Sequence, residues 1–340
     1  MTSVSFWIPA GLIALAVGVF CISWVMQRLA PKIGAMDTPS SARKIHTHPT
    51  PLLGGVGIGL VLACASVVAW MVGAMSTPLL LGFLVGVGVI LVTGLLDDVY
   101  GVAPWIRFSA YALAVGSLMY GGVSIEHVTH WSGRGAVLLG GWSAPLTFVW
   151  LYVVLFATKL MDGMDGLVTG QTVIASATIA ALCFFTPFYQ PVIGVMALGV
   201  LCAFAGFFPW NRYPARQFLG ESGSVLAGFC IGFLATLSSA KIATAFMAVG
   251  VPIADAGIVI LGRLWRRQSM FQGDTTHLHF KLLRYGLRPT QIILLYWGIA
   301  ITAGLIALAV QSKGKLLLAA ALVGITVVLS FLTGTIKQRV

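Results

Sequence analysis

The chain has 340 residues, of which 59% are hydrophobic and only 9% are charged. Because a soluble domain carries roughly 25% charged residues, this composition excludes an ordinary soluble protein and indicates an integral membrane protein. The net charge of +11 is typical of nucleic-acid-binding proteins. The positions of the Lys and Arg residues explain this charge better, as described below.

Eleven apolar segments follow one another along the chain, each roughly 17–25 residues long and so able to cross a bilayer as a helix. Between the fourth and fifth, the stretch 121–142 is too polar to cross, and we expect a small surface hairpin there. The sequence therefore predicts an all-α integral membrane protein, a polytopic bundle of about 11 transmembrane helices that forms one domain over 1–340. The predicted spans are 7–29, 53–75, 77–96, 104–120, 143–161, 166–186, 190–210, 222–239, 240–262, 290–310 and 315–336.

The Lys and Arg residues orient this bundle, because cytoplasmic loops collect positive charge. If the spans alternate from an outside N-terminus, all 20 Lys and Arg residues except Arg134, Lys241, Lys313 and Lys315 lie on one side. We therefore predict an outside N-terminus and a cytoplasmic C-terminus in the inner (plasma) membrane. This bias accounts for the excess charge, so no nucleic acid is expected as a partner.

The acidic residues follow the same division, with Glu126 as the one exception. Charge at the edge of lipid is costly and is usually retained for a function. The motif GLLDDVYG places Asp97 and Asp98 at the end of the third span. Adjacent carboxylates repel each other unless a cation lies between them and a ligand. Metal or phosphate chemistry is therefore favoured over a solvated pair at a helix end.

The motif KLMDGMDGL holds three charges between two apolar runs. Asp162 and Asp165 are spaced i, i+3 and would share a helical face with Lys159 if the helix continued. Gly163 would let a ligand or a neighbouring backbone approach closely. A simple salt bridge between Lys159 and Asp162 is the alternative.

Four further positions are candidates on weaker grounds. Glu221 lies in FLGESGS at the start of the eighth span, where helix N–H groups suit an anion, although the same residues also form plain turns. Asp255 in PIADAGIVILGRL is either a packed polar residue or part of a site. The histidines of GDTTHLHF, His277 and His279, favour contact with sugar or phosphate over zinc, since no third strong ligand is near in sequence.

Taken together, six motifs in this order resemble the polyprenyl-phosphate N-acetylhexosamine-1-phosphate transferases (glycosyltransferase family 4). The resemblance covers nearly the whole chain and is carried by RKIHTHPTPLLGG, GLLDDVYG, KLMDGMDGL, NRYPARQFLGESGS, PIADAGIVILGRL and GDTTHLHF. It implies a reaction of UDP-sugar with polyprenyl phosphate that gives polyprenyl-diphosphate-sugar and UMP, with Mg²⁺ or Mn²⁺. Such a step is the first membrane step of cell-envelope glycan synthesis, as for lipopolysaccharide or teichoic acid.

The resemblance also implies roles for the matching positions. The implied catalytic residues are Asp97, Asp98 and Asp162, and the implied metal ligands are Asp98, Asp162 and Glu221. The implied substrate-binding residues are Lys44, Lys159, Gly163, Asp165, Asn211, Phe218, His277 and His279.

Three departures from the family pattern bear on this reading. Lys159 replaces a usual Asn, Glu221 replaces a usual Asp, and Phe280 replaces the second His of the usual HLHH. Lys159 would either hold Asp162 ionised or reach a substrate phosphate. The remaining HLH arrangement resembles the N-acetylglucosamine branch more than the MurNAc-pentapeptide branch.

The MurNAc-pentapeptide branch stays an alternative, and a homodimer is left open. A secondary transporter is the alternative from another class, but it would carry its charges near the midplane in paired, repeated halves. An intramembrane prenyltransferase would need two Asp-rich motifs of DxxxD type, and LDDVYG offers no second acid downstream.

Overall fold

A computed structural model of the protein describes residues 2–39, 48–130, 135–187, 189–238, 241–265, 267, 276–310 and 312–334. Within these ranges the chain forms twelve α-helices, one 3-10 turn and two short hairpins. The helices are α1 (Thr2–Ile33), α2 (Gly54–Met71), α3 (Thr77–Tyr100), α4 (Pro104–Tyr120), α5 (Ser143–Met161), α6 (Leu167–Phe185), α7 (Pro191–Asn211), α8 (Gly220–Leu237), α9 (Lys241–Trp265), α10 (Leu278–Arg284), α11 (Pro289–Ala309) and α12 (Ser312–Gly334).

Each of the eleven predicted spans coincides with one of these helices, and the short α10 is the twelfth. In the described part of the chain, nine helices are long and apolar enough to cross a membrane. Helices satisfy all their internal backbone hydrogen bonds, which a lipid environment requires. The protein is therefore an all-helical integral membrane protein. Helices α4 and α9 are not among these nine, so the crossing of the membrane by eleven helices stays a prediction.

Helix α8 lies at the centre of the bundle. In its span 89% of the residues are buried, against 11% for α1, and α8 contacts α2, α3, α5, α6, α7 and α9. Small residues allow these helices to approach closely. A Cβ atom added to Gly94 of α3 would lie only 2.5 Å from the backbone of Ser222 in α8. This close approach brings the start of α8 against the end of α3.

Two short antiparallel hairpins connect helices. Strands β1 (Met36–Asp37) and β2 (Thr50–Pro51) pair between α1 and α2. Strands β3 (His127–Thr129) and β4 (Ala136–Leu138) pair between α4 and α5. The second hairpin confirms the prediction for the polar stretch 121–142.

Helix α9 is kinked at Val249, whose backbone angles (φ −119°, ψ 17°) are not helical. Pro252 follows three residues later, and a proline inside a helix removes a backbone hydrogen bond and clashes with the preceding turn. Beyond the kink, α9 carries Asp255 toward α10.

Candidate active site

A cavity of about 560 Å³ lies at one end of the bundle, where α5 and α7 end and where α6, α8 and α11 begin. Seven of the predicted site residues line it: Lys159, Asp162, Gly163, Asp165, Asn211, Phe218 and Glu221. The predicted residues Asp97, Asp98, His277 and His279 are outside this lining. Lys44 belongs to the stretch 40–47, which lies outside the described residues.

Asp97 and Asp98 occupy the last turn of α3, which runs to Tyr100 and so beyond the predicted limit of residue 96. Their carboxylates face different partners. Asp97 accepts hydrogen bonds from the Val102 backbone N–H (2.8 Å) and from the Arg107 guanidinium (2.8 Å). Asp98 Oδ1 accepts the backbone N–H of Glu221 (3.0 Å) at the start of α8. The predicted anion site at this helix start is thus filled by a carboxylate of the protein itself.

The second carboxylate oxygen of Asp98, Oδ2, has a different environment. Asp98 Oδ2 is buried and has no hydrogen-bond partner among the described residues. Gly220 lies against it with a left-handed φ of 71°, and a Cβ atom there would lie 2.5 Å from Asp98 Oδ2. Glycine at this position therefore satisfies both the backbone angle and the close approach. A buried carboxylate oxygen without a donor is costly, which makes it a candidate ligand for a cation.

Glu221 is held by three groups through one oxygen. Its Oε1 accepts hydrogen bonds from the Tyr111 hydroxyl and the Lys159 ammonium. The Arg107 guanidinium lies 3.7 Å from the same oxygen. The predicted alternative for Lys159, a salt bridge with Asp162, is wrong, because the partner of this ammonium in the described structure is Glu221.

The DGMDG segment is a turn and not a continued helix. Helix α5 ends at Met161, Gly166 adopts a left-handed φ of 75°, and α6 begins at Leu167. The condition under which Asp162 and Asp165 would share one helical face, a continued helix, is therefore not met. Glycine breaks the helix by its freedom to adopt left-handed angles.

Asp165 of this turn and Asn211 at the end of α7 fasten the turn to α7 and to the loop that follows it. Asp165 Oδ2 accepts the backbone N–H of Ala215 (2.9 Å). Asn211 Oδ1 accepts the backbone N–H of Gly166 (3.1 Å) and the Thr169 hydroxyl (2.6 Å). Both residues hold the shape of the cavity wall as well as lining it.

The carboxylate of Asp162 faces the cavity. Although solvent in the cavity reaches this side chain, the surrounding protein atoms and the charges of Glu221 and Asp165 raise the pKa of Asp162 to about 7. Desolvation by these surrounding protein atoms is the larger cause, and the two neighbouring carboxylates add to it. A cation or another positive group would be strongly favoured beside it.

The two histidines lie behind the DGMDG turn and are positioned by α9. His277 Nδ1 is 3.0 Å from Asp255 Oδ2, and the Leu278 backbone N–H donates to Asp255 Oδ1 (2.9 Å). Asp255 is 5% exposed. Asp255, whose role the sequence left open, thus anchors the histidine segment.

His279 packs directly against Gly163. A Cβ atom on Gly163 would collide with His279 Nε2, a buried atom without a hydrogen-bond partner among the described residues. Burial and the neighbouring His277 lower the pKa of His279 to about 4, so its ring is neutral at neutral pH. Phe280, which replaces a usual histidine, lines the cavity.

Sequence reasoning missed Arg107 and Tyr111 as parts of this site. They are four residues apart on α4 and so share one face of the helix. That face meets Glu221, which is 110 residues from Tyr111 along the chain. The spacing of Arg and Tyr at i, i+4 was the one signal available, and a large distance in sequence hid the partner.

These features define a polytopic membrane protein whose acidic cavity opens at the helix ends, and comparisons with known proteins agree. The model of glycosyl transferase family 4 matches residues 80–239. A probable undecaprenyl-phosphate N-acetylglucosaminyl 1-phosphate transferase of Bacillus subtilis is 30% identical over 300 residues, covering 86% of this chain and 82% of that protein. The chain therefore belongs to glycosyl transferase family 4.

Two other relatives mark the breadth of the family. A decaprenyl-phosphate N-acetylglucosaminephosphotransferase of Mycolicibacterium smegmatis is 28% identical over 323 residues, covering 84% of this chain and 78% of that protein. A phospho-N-acetylmuramoyl-pentapeptide-transferase of Staphylococcus epidermidis is 22% identical over 276 residues, covering 76% of this chain and 84% of that protein.

Proposed function

We propose that this protein transfers N-acetylglucosamine-1-phosphate from UDP-N-acetylglucosamine to a polyprenyl phosphate, which forms polyprenyl-diphosphate-N-acetylglucosamine and releases UMP. The observation that carries this proposal is the convergence of Asp162, Asn211, Phe218 and Glu221 on one cavity, next to Asp98, in a member of this family.

The reaction needs positioning and charge neutralisation more than covalent help from the protein. A lipid phosphate oxygen attacks the phosphorus that carries the sugar. A new P–O bond forms there, while the bond to the phosphate of UMP breaks. A phosphate monoester has its second pKa near 6, so the lipid phosphate is largely dianionic at pH 7. A general base is therefore dispensable, and Asp97 or Asp98 would act by orienting groups.

The cavity walls offer complementary contacts for the nucleotide. Phe218 presents an aromatic face suited to uracil, and Asn211 and Asp165 keep the neighbouring wall rigid. The Lys159 ammonium in the cavity wall favours an anionic substrate. The acceptor lipid would reach this end of the bundle from the bilayer.

We also propose that the enzyme uses Mg²⁺, which Mn²⁺ can replace. The buried free oxygen of Asp98 and the cavity-facing carboxylate of Asp162 fit such an ion. Glu221 fits it less well, because its Oε1 accepts two hydrogen bonds and lies 3.7 Å from the Arg107 guanidinium, which leaves only Oε2 for an ion. The described side chains do not form a ready cage of three or more His, Cys, Asp or Glu ligands, so substrate phosphates and water would supply the rest. When bound, the ion neutralises charge on the phosphates.

N-Acetylglucosamine is proposed over MurNAc-pentapeptide for two reasons. The relatives with the higher identity are named for N-acetylglucosamine, while the muramoyl-pentapeptide relative is only 22% identical. In addition, the HLH arrangement followed by Phe280 resembles the N-acetylglucosamine branch, and Phe280 lines the cavity.

The test uses the full-length protein purified in detergent. It is incubated with undecaprenyl phosphate, Mg²⁺ and radiolabelled UDP-N-acetylglucosamine or UDP-MurNAc-pentapeptide, and both lipid-extractable label and UMP are measured. We expect equal amounts of lipid-linked N-acetylglucosamine and UMP, with Asp162→Asn as the inactive control. Transfer from UDP-MurNAc-pentapeptide alone would contradict the proposal.

We further propose that the cavity opens to the cytoplasm at the plasma membrane, because the Lys and Arg residues concentrate on that side. In a cysteine-free background, Tyr285→Cys should react with an impermeant thiol reagent only in broken cells. Leu138→Cys, exposed on the β3–β4 hairpin, should react in cells whose outer face is accessible. The opposite labelling pattern would invert the bundle.

A further inference from the structure

Lys159 and Glu221 form an ion pair on the wall of the cavity. The Lys159 ammonium contacts Glu221 Oε1, and the two side chains are only 18% and 12% exposed. Both residues line the cavity. Because water screens such a pair poorly, the contact is strong enough to fix the position of the long lysine side chain.

One carboxylate oxygen of Glu221, Oε1, is already occupied by other side chains. The same Oε1 also accepts the Tyr111 hydroxyl, and Arg107 lies 3.7 Å away. By contrast, Asp98 Oδ2 has no hydrogen-bond partner among the described residues. The free Oδ2 of Asp98 and the occupied Oε1 of Glu221 thus belong to two residues that are hydrogen-bonded to each other.

Lys159, on the other hand, keeps binding capacity. An ammonium has three N–H donors, and its hydrogen-bond acceptor in the described structure is one Glu221 oxygen. Its Nζ lies 5.3 Å from the centre of the Tyr111 ring and 5.9 Å from that of Phe156. Because Lys159 also lines the cavity, the donors that Glu221 does not use are available to a ligand there.

The two members of this pair are also two of the three positions at which the resemblance described above implies a different residue. Lys159 adds a positive charge where the usual residue is a neutral Asn. Glu221 is one methylene longer than the usual Asp, and this longer side chain meets the lysine. Two departures that contact each other are more simply explained as one coupled change than as two independent ones.

We propose that Lys159 and Glu221 act as a matched pair in which Glu221 positions the ammonium and Lys159 binds the diphosphate of the sugar nucleotide. The identity of that nucleotide rests on the proposed function. Lys159 is then a substrate-binding residue, and Glu221 is a positioning residue for Lys159 in place of the cation ligand that the motif suggested.

The first test is a double-mutant cycle read by calorimetric binding of UDP to the purified protein. Lys159→Asn should weaken UDP binding by about 10- to 100-fold, the range for one hydrogen bond to a charged group. Glu221→Asp, which is too short to hold the lysine, should weaken it at least about fivefold in the wild-type background. In the Lys159→Asn background the same substitution should change it less than about twofold.

Thermal unfolding checks that each variant folds, and the double variant restores the usual family residues and so keeps the cycle interpretable. In turnover assays the KM for UDP-N-acetylglucosamine should rise in Lys159→Asn more than kcat falls. Equal effects of Glu221→Asp in both backgrounds would overturn the matched pair.

The second test separates positioning from metal ligation and needs no turnover. Binding of Mn²⁺ is followed by electron paramagnetic resonance with saturating UDP present. Glu221→Gln should leave Mn²⁺ affinity within about threefold, whereas Asp98→Asn should weaken it at least about tenfold, as expected for a ligand. An equal loss in both variants would make Glu221 a ligand and refute the inference.

These binding measurements also keep the two proposals apart. A wild-type protein that binds UDP through Lys159 but transfers no N-acetylglucosamine would refute the proposed function alone. An active enzyme in which Lys159→Asn leaves UDP affinity unchanged would refute the matched pair alone.

Discussion

Replacing Asp98 with Asn changes the charge of the site while leaving its shape almost intact. Asp98 Oδ1 accepts the Glu221 backbone N–H at 3.0 Å, and an Asn side chain keeps an oxygen that can accept the same bond. The free oxygen, Oδ2, is replaced by an amide NH2 group, which cannot bind a cation. The substitution therefore separates the structural bond of Asp98 from its chemistry.

The two effects differ in size. Loss of the carboxylate charge at the start of α8 should cost about 0.3–1 kcal/mol of stability, the usual interaction of an anion with a helix N-terminus. Loss of one electrostatic group at a reacting centre typically costs about 10²–10³ in kcat. We therefore expect turnover to fall at least about a hundredfold in a protein that unfolds close to the wild-type temperature.

Asp97→Asn is the matched control, because Asp97 has the same chemistry one residue away but faces Arg107 and Val102. It should weaken turnover less than Asp98→Asn does and should leave Mn²⁺ binding unchanged within about threefold. Asp98→Ala should also lose stability, by about 1–3 kcal/mol, because the Glu221 N–H loses its acceptor. Near-normal turnover in a folded Asp98→Asn protein would refute this reasoning.

The remaining predictions concern the histidine segment and the metal. Asp255→Ala, which removes the acceptor of His277 Nδ1, should lower kcat/KM about 10- to 100-fold, while Asp255→Asn should recover part of it; equal losses in both would argue against orientation by hydrogen bonding. Gly163→Ala should collide with His279 Nε2 and reduce activity at least about tenfold, whereas Gly298→Ala, with no atom within 4 Å of its added Cβ, should behave like wild type. EDTA should abolish transfer, and added Mg²⁺ or Mn²⁺ should restore it; full transfer in EDTA would exclude a role for either ion.

The sequence alone determined the class of the protein and most of its helices. The eleven apolar segments are local properties of the chain, and each became a helix because lipid leaves backbone groups no other partner. The motif residues were also predictable, since Asp162, Asn211 and Phe218 do line one cavity. Because consecutive spans cross the membrane in opposite directions, the sequence predicted that these residues lie at the same end of the bundle.

Only the tertiary structure decided which side chains meet. Lys159 contacts Glu221, 62 residues away, and not Asp162, because α5 ends at Met161 and the turn that follows redirects the carboxylate. Tyr111 joins the same oxygen from α4. Such pairings depend on how closely helices pack at small residues and on where each helix stops. The order of charges along the chain specifies neither how closely the helices pack nor where each one stops. It can therefore identify the residues of the site but not their partners.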